Sequence, residues 1–567
     1  MPAKTARAPW RKLRGAEAAP TSDSGEKRFP AVTGTFTLPW SGTFPPSLLV
    51  CDVRMGETFV EQVAKCKRTR APCLSSPEVL SMTTVNPTEA DDPGLPLASV
   101  DDLVDFFRSA EKPRDKFRVG TEHEKFGFVR TPGVERQPPL QFDGHNGIEA
   151  ILAAIAGDPA EVKRFQWVPA YDRGRIIALF GDNASITLEP GGQLELSGAP
   201  LFTIHEICAE TRDHLNLLRR ICLPRNVGFI GMGFHPTARY DEIPLVPKSR
   251  YTIMARYMPT VGARGLDMMK RTCTVQANYD WSSESDMVAS YRAALAVSPL
   301  VAALFSSSPF YEGKPSGALS ERQQVWADTD PRRSGFPQVI FDEGFGYERY
   351  LRWVLDVPMY FVRRDGFHHD VAGASFRDFV TDGLVINGER VRATERDFAD
   401  HLTTTFPEVR LKKVLEVRSA DCGAWSRISA LPALYKGLLY DHVARDAATA
   451  LMDGVTGVEL AALRKDLAVT GYQAVFRGEP ILQRCAELVD IARGGLERIG
   501  AKNSRGEDES RFLKPLQESV DEGRTFAERL LALYHTTWKG SLAPLWDEVE
   551  FWPQPSSTDS AGDMNRS

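Results

Sequence analysis

Glu189 and Glu195 flank a Pro190-Gly191-Gly192 turn in the segment ITLEPGGQLELSG, residues 186–198, a spacing that sets two carboxylates on one face of one hairpin. A three-residue loop pairs Glu189 with Gln193 and Thr187 with Glu195, so four polar side chains share a face. Ile186, Leu188, Leu194 and Leu196 fall on the other face, which supplies the apolar surface of a half-buried sheet. Three further segments show the same two-faced pattern. In residues 272–281, Thr272, Thr274, Gln276, Asn278 and Asp280 alternate with Cys273, Val275, Ala277, Tyr279 and Trp281. In residues 411–419, Glu416 and Arg418 have one parity while Leu411, Leu415 and Val417 have the other. In residues 118–128, Glu122 and Glu124 stand two apart, opposite a less apolar face of Val119, Thr121, His123 and Lys125.

If these strands join one sheet with matching faces, Glu122, Glu124, Glu189, Glu195 and Glu416 converge with Gln276, Asn278, Arg271 and Arg418. Carboxylates crowded into one cavity raise one another's pKa unless divalent cations or guanidinium groups balance them. Ligands that are all oxygen favour Mg²⁺, with Mn²⁺ also suited, over zinc, and Mg²⁺ commonly arrives with nucleotide phosphates. The expectation is an Mg²⁺–nucleotide site; the alternative is a solvated sheet face with ordinary surface ion pairs. No GxxxxGK[ST] loop or complete dinucleotide fingerprint occurs. Lys314, in EGKPSG, and the Arg332-Arg333 pair are loop cations able to meet phosphates or simply to be solvated. His368 and His369 lack a third ligand and read as a surface pair.

The elements that must hold these residues form an irregular alternation of short strands and helices followed by a helical end, which predicts an α+β fold. Helices are expected over 100–109 with Ser99 as cap, and over 147–156, 203–220, 284–305, 346–354 and 376–381. Residues 431–551 are mainly helical in pattern. Residues 1–96 have no sustained amphipathic period and read as an N-terminal extension. They are either a basic transit-like leader or, if translation starts at Met82, partly a misassigned start. Residues 97–552 form one catalytic domain, and 553–567 a polar tail. A net charge of -6 with 25% charged residues lacks the basic excess that nucleic acid attracts. The apolar run 293–305 is too short to span a bilayer, so neither nucleic acid nor membrane is expected as a partner. Eight scattered cysteines without zinc-like spacing fit a reducing compartment.

Five stretches, TEHEKFGF (121–128), ITLEPGGQLELSGAP (186–200), GLDMMKRTCTVQANYDWSSESDM (265–287), SPFYEGKPSG (308–317) and HLTTTFPEVRLKKVLEVRSAD (401–421), resemble the plant and proteobacterial glutamate–cysteine ligases. The resemblance spans about residues 97–551. It implies a glutamine-synthetase-like fold, in which a curved, mainly antiparallel sheet forms a funnel surrounded by helices. It also implies ATP-dependent joining of the L-glutamate γ-carboxylate to the amino group of L-cysteine through a γ-glutamyl phosphate, the first step of glutathione synthesis. Carried over by motif, Glu122, Glu124, Glu189, Glu195 and Glu416 are the metal-ligand candidates, while Gln276 and Asn278 contact metal, nucleotide or substrate; the loop cation Lys314 is the further candidate for nucleotide or substrate. Arg418 stabilises transition-state charge, and Arg271 binds a carboxylate or phosphate. Other γ-glutamyl acceptors and a non-catalytic nucleotide sensor are the alternatives. The chain departs from the plant pattern at Ser429, opposite Cys208, at Val371, and at Ala255-Arg256. A plant-like disulfide switch is therefore not expected unless Cys422 substitutes, which favours the cytoplasm over the plastid that a transit peptide would imply. A monomer or homodimer is expected.

Overall fold

The computed structural model describes residue 94 and residues 96–552, all within one compact unit spanning Glu78–Ser567. The Met82 question and the 553–567 tail lie outside the described residues, as does nearly all of the expected extension. The centre is a nine-stranded sheet. Its strands are β1 (Val119–Val129), β2 (Val168–Asp172), β3 (Arg175–Phe180), β4 (Ser185–Leu188), β5 (Leu194–Ser197), β6 (Val227–Ile230), β7 (Thr274–Tyr279), β8 (Val409–Leu411) and β9 (Leu415–Asp421). The order is β8-β9-β7-β1-β5-β4-β3-β2, with β6 paired to the far end of β1. Every pairing is antiparallel. The α+β expectation with a mainly antiparallel sheet therefore holds.

The expected hairpin register is observed: Thr187 lies opposite Glu195, and the Glu189 N–H donates to the Gln193 carbonyl at 2.9 Å. Its two glycines have different reasons. Gly192 has φ +83°, which L side chains rarely adopt, and a Cβ on Gly191 would stand 2.5 Å from the Lys270 carbonyl oxygen. Ile186, Leu188, Leu194 and Leu196 enter one apolar core with helix α2 (Ile148–Ala156), part of α3 (Ile204–Cys222) and β6. Val275, Ala277 and Tyr279 enter the other, with α6 (Glu284–Leu304), α8 (Ala430–Leu439) and α9 (Ile481–Ile499). Each Val, Leu or Ile side chain so removed from water contributes about 1.5–3 kcal/mol, which is what locks the parity of these strands and hence the direction of their polar residues.

Helix positions agree closely with the pattern. The first, α1 (Asp102–Arg108), starts two residues later than predicted because Asp101 is its N-cap; the Ser99 hydroxyl accepts from the Asp101 N–H instead. Thr203 and Glu206 form a reciprocal capping box on α3. The helix α6 is long and apolar enough to cross a bilayer, but its apolar residues are buried in the core. Two differences concern strands. The predicted 411–419 strand is two strands, because Lys412 turns back with its N–H on the Val414 carbonyl. On β1, the less apolar face is nevertheless buried, and Lys125 Nζ is satisfied by the carbonyl and ring Nδ1 of His123, both at 3.0 Å.

Candidate active site

The polar face of the sheet floors a cavity of about 1770 Å³. Glu122, Glu124, Thr187, Glu189, Gln193 and Glu195 all line it. Strand pairing brings them together: Glu122 lies between Gln276 and Ser197, and Glu124 stands directly opposite Glu195, which in turn faces Thr187. Directly opposed like charges destabilise a sheet, so this arrangement needs an electrostatic reason.

The local partners do not supply one. Glu122 accepts from Asn278 Nδ2 at 2.8 Å and Gln276 Nε2 at 3.3 Å. Glu124 accepts from the Thr274 N–H at 2.9 Å, and Glu195 from the Thr187 hydroxyl at 2.6 Å. These are amides, a hydroxyl and a main-chain donor rather than cations. Burial, then the negative charge of Glu416, pushes Glu122 up to about 7. Burial followed by Glu189 and Glu195 holds Glu124 well above the carboxylate range, and burial with Glu189 raises Glu195.

Glu416, the fifth glutamate expected as a metal ligand, has the opposite electrostatics. It is fully buried behind the cavity wall. Arg410 Nε at 2.6 Å, Lys412 Nζ at 2.9 Å and Arg418 Nη1 at 3.0 Å all donate to it. Burial alone would raise its pKa; Arg410, Lys412 and Arg418 outweigh that and hold it well below the usual range. Its lone pairs are spent on anchoring cations. Arg418 does reach the cavity, where its guanidinium bridges Glu416 and Gln276 Oε1 beside the rings of Trp326 and Phe406. Asn278 stands behind Glu122, orienting it.

The opposite flank is also cationic. Here α4 (Ser249–Tyr257) follows Lys248, whose Nζ donates to the Leu188 carbonyl at 2.8 Å, as does the Tyr251 hydroxyl at 2.6 Å. Burial, then Arg250, lowers Lys248 to about 7. The carboxylate row thus runs between an Arg410–Lys412–Arg418 bank and a Lys248–Arg250 bank. Among the described residues no three His, Cys, Asp or Glu side chains are drawn into a ready-made ligand set. The chemistry of the donors still fits a hard divalent cation: all are oxygens, those of Glu122, Glu124 and Glu195 are buried and held by neutral partners, and the buried Asn278 Oδ1 has no partner among the described residues.

Several expected site residues lie elsewhere. Arg271, at the end of α5 (Gly265–Arg271), is absent from the cavity wall and is engaged by Asp267 at 2.5 Å, Glu312 at 3.0 Å and the Tyr311 hydroxyl at 2.8 Å. Its planar fork binds carboxylates, but the protein's own. Lys314 is exposed on the Tyr311–Lys314 turn, away from the cavity. Arg333 is fully buried, paired with Asp330 at 2.7 Å and stacked on Tyr360. His368, expected on the surface, lines the cavity and meets Ser249 Oγ at 2.7 Å. Cys422 does not replace a switch cysteine: its thiol donates to the Glu124 carbonyl, while Cys208 contacts Ser429, and both are free. Sequence reasoning missed Arg410, Lys412, Lys248 and Arg250. The first two had a signal, because VRLKKVLEVR read as a hairpin puts Arg410 opposite Glu416; the latter two come from a loop and a helix start that carry no sheet period.

Comparison with known proteins adds the family. Glutamate–cysteine ligase family 2 matches residues 118–548. The chain is 41% identical over 525 residues to a chloroplastic glutamate–cysteine ligase of Brassica juncea, covering 91% of this chain and 98% of that protein. It is 45% identical to that of Medicago truncatula over 79% of this chain and 84% of that one. Among solved structures, a Francisella tularensis glutamate–cysteine ligase in complex with AMP aligns with TM-score 0.43 at 12% identity, covering 74% of this chain and 85% of that one, too distant to bear on the assignment. Both the family match and the plant relatives cover the strands that build the carboxylate-lined cavity, and this chain belongs to glutamate–cysteine ligase family 2.

Proposed function

We propose that the cavity joins the γ-carboxylate of L-glutamate to the amino group of L-cysteine at the expense of ATP. The observation that carries this reading is the row of Glu122, Glu124, Glu189 and Glu195 along the cavity between two banks of buried cations, in a chain of this family. Glu122, Glu124, Glu189 and Glu195 would hold Mg²⁺, which when bound neutralises phosphate oxygens and draws the nucleotide and glutamate carboxylate together. The protein's own part is orientation and charge. Asn278 and Gln276 fix the Glu122 carboxylate, and Thr187 fixes Glu195. Arg418, steered by Glu416 and Gln276, presents N–H donors where negative charge develops on the transferring phosphoryl group. A γ-carboxylate oxygen forms a bond to the terminal phosphorus as the bond to ADP breaks. The cysteine nitrogen then attacks the acyl carbon, loses a proton, and expels phosphate. Lys248 and Arg250 on the far flank suit a substrate carboxylate.

Residues 97–552 act as the catalytic unit in this reading. The plant relatives are named chloroplastic enzymes, so the comparisons favour the plastid alternative and lend no support to the cytoplasm. Phosphate release by the purified protein should require glutamate, cysteine, ATP and Mg²⁺ together, with γ-glutamylcysteine identified by mass spectrometry. Phosphate release without cysteine dependence, or a product with another amine from a mixed amino-acid pool, would replace this reading with a different ligase.

A further inference from the structure

Strand β9 loses register with β7 between Val417 and Ala420, so Arg418 and Ser419 form a bulge. A bulge re-aims a side chain, and here the re-aimed one is Arg418. Its carbonyls turn away from the ladder and must be satisfied elsewhere. The helix α7 (Glu321–Trp326) does so: Gln323 Nε2 donates to the Ser419 carbonyl at 2.6 Å, and Arg322 Nη2 to the Arg418 carbonyl at 2.9 Å. Among the described residues, the other side-chain donor to the Ser419 carbonyl is Arg322 Nη1, at 3.4 Å.

The same helix also grips the end of the bulge. Its cap, Ser320, accepts the Gln323 N–H at 3.2 Å and donates to Asp421, where β9 is again in register opposite Thr274. Gln323 is buried and absent from the cavity wall, and its Oε1 has no partner among the described residues. Among the described residues, donation to the bulge is thus the one hydrogen bond of this side-chain amide.

We propose that Gln323 is a positioning residue that acts on Arg418 through the Ser419 carbonyl; the inference rests on the reading of Arg418 given above. Without that donor the Ser419 carbonyl has one long hydrogen bond in place of a short one, and of the α7 side chains only Arg322 still holds the backbone at Arg418. A misplacement on the order of 1 Å costs about 10²-fold in rate, and a partial shift correspondingly less.

Gln323→Met keeps the length and removes the donor. The expected result is a kcat about 10-fold lower, KM values for ATP and glutamate within about threefold, and little change in thermal midpoint. In an Arg418→Ala background the same substitution should lower kcat by less than about twofold, because there is no guanidinium left to misplace. Equal fold losses in both backgrounds, an unchanged kcat in Gln323→Met, or a change confined to KM would each overturn the proposal. Should Gln323→Met fail to fold, Gln323→Asn keeps a buried amide but shortens its reach, and the same cycle and outcomes apply. If Arg418→Ala alone leaves kcat unchanged, the reading of Arg418 falls first, whatever Gln323 does.

Discussion

Replacing Glu122 with Gln should make the metal-free protein more stable above neutral pH while abolishing its catalysis. Holding Glu122 at about 7 rather than the ordinary 4.5 costs the folded state on the order of 3 kcal/mol once the carboxylate is ionised. Its sign follows from proton counting. Between the unfolded value and about 7 the folded protein retains a proton that the unfolded chain has released, so stability falls as pH rises through that window. Glutamine cannot ionise and escapes this cost, but it has one acceptor oxygen for the two amides of Gln276 and Asn278, a loss of about 1 kcal/mol. The net is about 2 kcal/mol in favour of Glu122→Gln at pH 8 and about 1 kcal/mol against it near pH 4.5. For roughly 450 ordered residues unfolding with about 2.1 cal/mol/K each, that is about +2 °C and −1 °C in midpoint. Calorimetry of both proteins in chelator across this pH range reads the crossover. A difference that keeps one sign and size at every pH would refute the reasoning, because it would mean that the buried carboxylate is not strained by its neighbours.

Arg418→Ala should reduce kcat by about 10²–10³-fold, the range for losing one donor to a developing anion, with a smaller effect on stability because Arg410 and Lys412 still neutralise Glu416; steady-state kinetics and a thermal melt separate the two. Glu416→Leu should do the reverse of a ligand deletion: three buried cations lose their common acceptor, and the protein should be destabilised by about 3–5 kcal/mol, visible as loss of soluble protein or a collapsed denaturation midpoint. Lys314→Ala should leave kcat and every KM within about twofold, since a cation exposed to water and off the cavity wall contributes little; a loss of nucleotide affinity would return Lys314 to the site. Gly192→Ala should destabilise by about 1–2 kcal/mol through its left-handed backbone and disturb the Glu189–Glu195 pair, which equilibrium denaturation and a raised KM for the metal would report.

What the sequence disclosed was parity, and parity carried far. The alternation in ITLEPGGQLELSG fixed the register of β4 and β5, and the apolar partners of Glu122, Glu189, Glu195 and Gln276 fixed which way those polar residues face. Burial enforces this, because a one-residue slip would turn Leu188 and Leu194 into the cavity and the glutamates into the core. Depth and partnership were not legible. Glu416 has the same parity as Glu122's neighbours, yet it lies under the wall because β8 brings Arg410 against it, and the β8–β9 turn at Lys412 was hidden inside what read as a single strand. Arg271 shared a motif with Gln276, but the helix ends at Arg271, so helical geometry sends it back to Asp267 four residues earlier. Parity is local along a strand; ion pairing depends on which segment arrives from elsewhere.

That distinction separates the two classes of carboxylate in the site. Glu416 is stabilised by the fold itself: Arg410, Lys412 and Arg418 are in place before any ligand binds, so its charge is available to hold cations at the wall. Glu122, Glu124 and Glu195 are not so compensated, and their raised pKa values are the cost the fold bears for keeping acceptors ready. A cation entering the cavity removes that cost by displacing protons, so its binding should release protons near neutral pH and raise stability most where the apo protein is weakest. A cavity whose carboxylates were already neutralised internally would bind a divalent cation poorly, and one whose arginines were unanchored would lose them to the carboxylates. In the proposed reaction this separation, with Glu416 restraining the guanidinium groups of Arg410 and Arg418 while Glu122, Glu124 and Glu195 stay uncompensated on other strands, would let one cavity attract both a divalent cation and the anions it activates.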